Sequence, residues 1–199
     1  MQKLNVADLL PLEQYARQRN DFRTRVLEHK KNRRLAIGPN VTWCFEDRLT
    51  IQYQIQEMLR VERIFEPEGI TSELDAYNPL IPDGRNWKVT FLVEFPNEDE
   101  RRTRLVALKG IEDHCWIQVQ DFARVPAIAD EDMERSNDDK TAAVHFLRFE
   151  LSDAMIGALR SGARLAAGIS HLAYSHAVEP VAEAVRLALS SDLEGTGSK

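Results

Sequence analysis

Five large apolar residues, Trp87, Val89, Phe91, Val93 and Phe95, alternate with Lys88, Thr90, Leu92 and Glu94. A period of two over nine residues is the pattern of a β-strand that buries one face and leaves the other for solvent or a second layer. A chain with such a strand must supply further strands to pair with it and helices or a second sheet to cover it.

The rest of the chain offers both. Leu35-Ala36-Ile37 and Val41-Thr42-Trp43-Cys44-Phe45 flank Gly38-Pro39-Asn40 and read as a hairpin. Cys115–Val119, Arg124–Ile128, Ala142–Leu151 and Leu165–Ile169 read as further strands. Helices are expected in two short N-terminal segments, one capped by Asp8 and one carrying Phe22, Val26 and Leu27, and then over residues 49–65, which hold no Gly or Pro. Glu66-Pro67-Glu68-Gly69 is expected to stop that helix, and residues 71–86, with a short helix start at Ser72 and turn pairs at Asn78-Pro79 and Asp83-Gly84, read as an ordered loop. Residues 98–108, the segment after Ser152 and the segment after Pro180 complete the helices. The expected fold is α+β: a mainly antiparallel or mixed sheet with an N-terminal helical region and covering helices, forming a single domain over 1–193 with a flexible tail at 194–199.

Composition narrows the setting. Two cysteines, Cys44 and Cys115, are too few for a disulfide framework and lack Cys-x-x-Cys spacing, so both are expected as reduced, inert strand residues. No apolar run approaches the roughly 20 residues of a membrane helix, and the opening residues lack a secretory pattern, so a cytoplasmic protein without membrane insertion is expected. The net charge of −6 is uneven, since residues 1–34 carry nine Lys/Arg against four Asp/Glu. With no nucleic-acid motif present, this basic segment reads as a solvated helix face against an acidic body rather than a phosphate-binding surface.

Phosphate-binding glycine loops, nucleophile elbows and paired-cysteine metal motifs are absent. The unusual segment is the 49–65 helix, where Glu62 projects among Ile51, Ile55, Met58, Leu59 and Phe65. A carboxylate there is expected to be buried and to need a partner such as Arg48, Arg148, His145 or a metal. Beside it, Gln52, Gln56, Arg60 and Arg63 form a polar stripe whose donors suit a carboxylate or phosphate, or equally a neighbouring loop. Asn78 and Asp83, from the loop spanning Leu74 to Trp87, are expected to pack on this stripe and form a concave site with it, with Tyr77 and Trp87 at the rim. His145 reads first as a satisfied core histidine. The candidate ligand-binding set is Arg48, Gln52, Gln56, Arg60, Glu62, Arg63, Asn78, Asp83 and His145, and a Glu57, Glu62 and His145 metal site is a further alternative.

Four stretches carry a resemblance: Phe45 to Thr50, Gln56 to Ile64, Leu74 to Gly84 and His145 to Leu151. Together they resemble an uncharacterised bacterial family, domain of unknown function 3501, over about Leu9 to Tyr174. The resemblance brings no catalytic residue or cofactor with it. It implies a redox or peroxide-stress setting alongside rubrerythrin-like and iron–sulfur proteins. Two cysteines cannot hold a cluster that takes four protein ligands, so any such centre would belong to a partner. The function expected is therefore an accessory or interaction protein of a cytoplasmic redox system. The alternative is an anion- or metal-binding enzyme or small-ligand sensor built on the Gln/Arg/Glu helix.

Overall fold

A computed structural model describes residues 2–129 and 141–194. The chain begins with a single 19-residue helix, α1 (Leu12–Lys30), where two short ones were expected. No Gly or Pro interrupts it, and Tyr15, Phe22 and Val26 return to one face at intervals of seven and four, which keeps the polar stretch between them helical. The hairpin β1 (Arg34–Ala36) and β2 (Val41–Phe45) follows as expected. Its turn needs Gly38, at φ 70°, because a Cβ there would lie 2.6 Å from Tyr174 and His176.

Helix α2 (Arg48–Glu62) starts at Asp47, whose carboxylate accepts from the Thr50 amide while the Thr50 hydroxyl accepts from the Asp47 amide. It ends at Arg63, in the left-handed region at φ 55°, three residues short of the expected stop. Pro67 then opens a helix rather than closing one: α3 runs Pro67–Tyr77, because proline's fixed φ suits the first helical position.

β3 (Asn86–Val93) is the alternating strand, and α4 (Glu98–Ala107) and β4 (Cys115–Val119) follow it. The expected strand at 124–128 is divided into β5 (Val125–Pro126) and β6 (Ile128–Ala129). Beyond them come β7 (Val144–Glu150), α5 (Asp153–Arg160), β8 (Leu165–His171), β9 (Tyr174–Val178) and α6 (Glu183–Ser190). Residues 195–199 of the expected tail lie outside the described residues.

Pairing is antiparallel throughout, in two sheets ordered β1-β2-β3-β7-β6 and β5-β4-β8-β9. The fold is α+β. One core fills the space between the sheets, where Trp43, Phe91 and Phe149 of the first meet Ile117, Val119 and Ala167 of the second, with α5 and α6 contributing Ile156, Leu159 and Leu189. The three N-terminal helices have separate, smaller cores: Ile51, Ile55 and Leu59 of α2 pack on Leu74 and Ile81, while Tyr15, Phe22 and Val26 of α1 pack on Leu49 and Tyr53. Where this helical layer meets the outer face of the first sheet, side chains from both leave a cleft.

Candidate functional site

Alternation along β2 and β3 determines what the outer face carries. With Trp43 and Phe45 turned into the core, Cys44 faces outward and sits opposite Thr90 of β3, which in turn sits opposite Phe146 of β7. Leu92 pairs with Val144 on the same face. Thr50, Ile51 and Gln54 of α2 oppose this surface, with Tyr77 and Leu80 from the end of α3 and Lys30 from the end of α1. The cavity between them is about 260 Å³.

Glu46, just after β2, is the carboxylate of this cleft. It is 8% exposed. The Thr50 hydroxyl donates to its Oε2 at 2.5 Å and the Thr90 hydroxyl to its Oε1 at 2.7 Å. Two neutral donors from two different layers fix its orientation, and among the described residues no Lys, Arg or His nitrogen lies within ion-pair distance of it. The Lys30 ammonium, the Gln54 amide and the Tyr77 hydroxyl also make no hydrogen bond among the described residues. Burial pushes the Cys44 thiol above its ordinary pKa, and the Glu46 charge adds to the effect. Cys44 is therefore a protonated thiol at neutral pH, not an activated nucleophile.

Beside the cleft lies a polar junction. Asp47 meets His29 Nε2 at 2.5 Å and Arg33 at 3.1 Å, and Arg33 grips Asp192 through two bonds of 2.6 Å. Arg33, Asp47 and Asp192 are all buried. Burial works against the Asp47 anion, but the Arg33 charge, the Thr50 amide and His29 outweigh it and hold its pKa down.

The residues expected from the sequence to form a site are placed differently. Glu62 is exposed, not buried, because α2 ends there and its last turn leaves the helical layer. Val61 and Phe65 beside it are also exposed, at 63% and 67%. The carboxylate that gathers partners on α2 is Glu57, one turn earlier, which accepts from Tyr15 at 2.6 Å and from Arg19 at 2.7 and 2.8 Å. Hydrogen bonding from Arg19 lowers its pKa from 4.5 to about 2.

The polar stripe is covered by the N-terminal segment rather than by the 74–87 loop. Gln56, fully buried, accepts from the Leu10 amide at 2.6 Å and donates to the Leu10 carbonyl at 3.2 Å. Gln52 donates to the Asp8 carbonyl, Arg48 pairs with the Asp8 carboxylate, and Arg60 turns to Glu57. Arg63 caps the end of α2 with its backbone and is exposed. These donors serve the fold, satisfying an entry segment made of a 3-10 turn at Val6–Asp8 and the irregular residues after it.

The loop does reach α2, but on its Ile51 and Gln54 side. Asn78 bonds both the amide and the carbonyl of Leu4, and the Asp83 carboxylate accepts from the Arg85 amide at the turn before β3. Trp87 is not at a rim: its indole donates to the Leu189 carbonyl in the core. Tyr77 does line the cleft.

His145 is a core residue, with Nε2 2.8 Å from the Thr141 hydroxyl and 3.6 Å from Glu112. Glu57, Glu62 and His145 are thus not brought together, and among the described residues no group of three or more His, Cys, Asp or Glu side chains is arranged to hold a metal. Cys44 and Cys115 are both unpaired, Cys115 buried in the core and Cys44 half-buried in the cleft.

Sequence reasoning missed Glu46, Lys30, Gln54 and Thr90. The alternation that revealed the core face of β3 also names Thr90 and Leu92 as outward residues. What hid the site is that alternation names the outward residues but not which helix residues settle against them.

Comparison with known proteins places the chain. The model of the family described as Protein of unknown function (DUF3501) matches residues 3–193. The chain belongs to this family. It is also similar to a solved structure from Burkholderia pseudomallei, a novel protein of unknown function, with 48% identity and a TM-score of 0.92 over 97% of this chain and 100% of that one. No curated protein matches it. Among the described residues, no helix of this family member is long and apolar enough to cross a membrane.

Proposed function

We propose that this chain acts by binding: it is an accessory protein whose cleft between α2 and the outer face of the first sheet takes up a small, partly apolar molecule. Its working context is the redox or peroxide-stress system implied by the family resemblance, with a rubrerythrin-like or iron–sulfur protein as the partner of the loaded form.

Glu46 is the observation that carries this reading. Removing a carboxylate from water costs several kcal/mol unless hydrogen bonds or a counter-charge replace the lost solvation. Thr50 and Thr90 supply two hydrogen bonds, and the buried Arg33 guanidinium acts on Glu46 only through space, with no direct ion pair. An anion held in fixed orientation over an apolar floor of Leu92 and Val144 suits a donor group on a ligand. The protonated state of Cys44 favours uptake over nucleophilic chemistry.

Thermal unfolding against a panel of small metabolites tests it, with wild type compared to Glu46→Gln. A ligand at about a hundred times its Kd stabilises the folded state by about 2.7 kcal/mol. At least one compound should therefore raise the wild-type Tm by several degrees and leave the variant unmoved. Equal shifts in both proteins, or none in either, would discard the cleft as the site.

A further inference from the structure

Resting on the cleft as the binding site, we infer that its ligand is a small aliphatic amino acid: the ammonium group on Glu46, the carboxylate toward Lys30 and the hydrocarbon body against Leu92 and Val144. Three features of the cleft point to this class.

The first is the sign and number of its charges. Glu46 is the one carboxylate and Lys30 the one cation among the lining residues, and the two do not pair with each other. A simple anion would meet Glu46, and a simple cation would meet Lys30. A zwitterion satisfies both. An ammonium group brings three donors and a positive charge to a buried carboxylate that accepts from Thr50 and Thr90 and has no cation in ion-pair contact among the described residues.

The second is the supply of further polar atoms. Gln54 and Tyr77 line the same cavity and make no hydrogen bond among the described residues, so an amide and a phenol stand beside the two charges. A carboxylate turned toward Lys30 can accept from either. The thiol of Cys44, which lines the same cavity, feels the Glu46 and Lys30 charges with opposite effect, as it does those of Glu94 and Arg34 outside the lining.

The third is size. A cavity of about 260 Å³ falls just below the roughly 300–1,000 Å³ of pockets for drug-sized ligands, so it suits a small metabolite and not a nucleotide or large cofactor. Leucine and 6-aminohexanoate are small enough for it. The apolar floor excludes a body that is itself polar, because polar groups facing Leu92 and Val144 would lose their hydration without replacement.

Isothermal titration of the full chain with leucine, 6-aminohexanoate, hexylammonium, hexanoate and hexanol tests the assignment, using wild type, Glu46→Gln and Lys30→Gln. At least one of the two amino acids should bind wild type at least tenfold more tightly than hexanoate or hexanol. Glu46→Gln should weaken it by tenfold or more, and Lys30→Gln should weaken it while leaving hexylammonium binding equal or tighter. Lys30 is a half-buried helix-end residue, so its variant folds and keeps the test decisive if Glu46→Gln does not. Tighter binding of hexanoate or hexanol would overturn the ligand class and leave the cleft standing. The ligand class also falls, with the cleft intact, if no probe binds while the metabolite panel still gives a shift that depends on Glu46. Equal binding of every probe by all three proteins would overturn both the class and the site.

Discussion

Gln56 and Glu62 lie six residues apart on one helix and have opposite surroundings. Gln56 satisfies both backbone groups of Leu10, so Gln56→Ala would leave a half-buried amide and carbonyl unpaired, each at the lower part, about 1–2 kcal/mol, of the range for buried groups. Urea denaturation should show a loss of ~2–4 kcal/mol. Glu62→Gln, at an exposed position, should change stability by no more than about 0.5 kcal/mol. A loss above ~2 kcal/mol for Glu62→Gln would mean that its carboxylate is buried after all. Glu57 adds a pH dependence. Its folded pKa is depressed from 4.5 to about 2, so the stability it contributes is present above pH 4.5 and is lost as pH falls toward 2. Glu57→Gln should flatten the stability profile across that window and leave the profile above pH 6 unchanged in slope. For the thiols, titration with an aromatic disulfide under native conditions should modify Cys44 slowly at pH 7 and faster as pH rises. Cys115, buried in the core with its pKa pushed well up, should react only after unfolding, giving two free thiols in total.

At the scale of elements, the short stretch from His29 to Asp47 ties the end of α1, the first hairpin and the start of α2 into one polar junction. Asp47 caps α2 and also answers Arg33 and His29. Its replacement by Ala removes a cap worth about 1 kcal/mol and one acceptor of a buried guanidinium, so Asp47→Ala should cost about 3–5 kcal/mol in chemical denaturation. Asp47→Asn, which keeps the cap, should cost less. Periodicity makes most of these elements legible, β3 above all, because a two-residue alternation of large apolar groups has no competing helical reading. The misplaced elements share a different cause. Pro67 reads as a stop, yet its fixed φ serves equally well as a start. β9 is an edge strand whose Ser175, His176 and Ala177 are all exposed, so it carries little apolar signal. The expected burial of Glu62 fails for a reason of length: a helical wheel assumes that the helix continues, and α2 ends at that residue.

In the whole molecule, β5 and β6 belong to different sheets although only Ala127 separates them, so one short segment crosses between the two layers of the sandwich. The candidate site illustrates why a sequence reveals a core more readily than a cleft. Glu46 and Thr50 are neighbours at the start of α2, but Lys30, Tyr77 and Thr90 come from three other places in the chain, and no local pattern relates them to that pair. Their convergence follows from where the helical layer settles on the sheet, which is a tertiary fact.

The bidentate contact between Arg33 and Asp192 joins residues 159 positions apart. Ribosomes deliver the amino end first, so α1, α2 and α3 can gather their small cores while the guanidinium of Arg33 still has no Asp192 to receive it. Trp87 likewise waits for the carbonyl of Leu189, and the amide of Glu194 closes on Gly84 only once the segment after α6 has been made. Completion of the fold thus follows the synthesis of α6 and the residues just after it, and a chain made without residues 188–194 would have its first helices assembled and its sandwich left without a closing clasp.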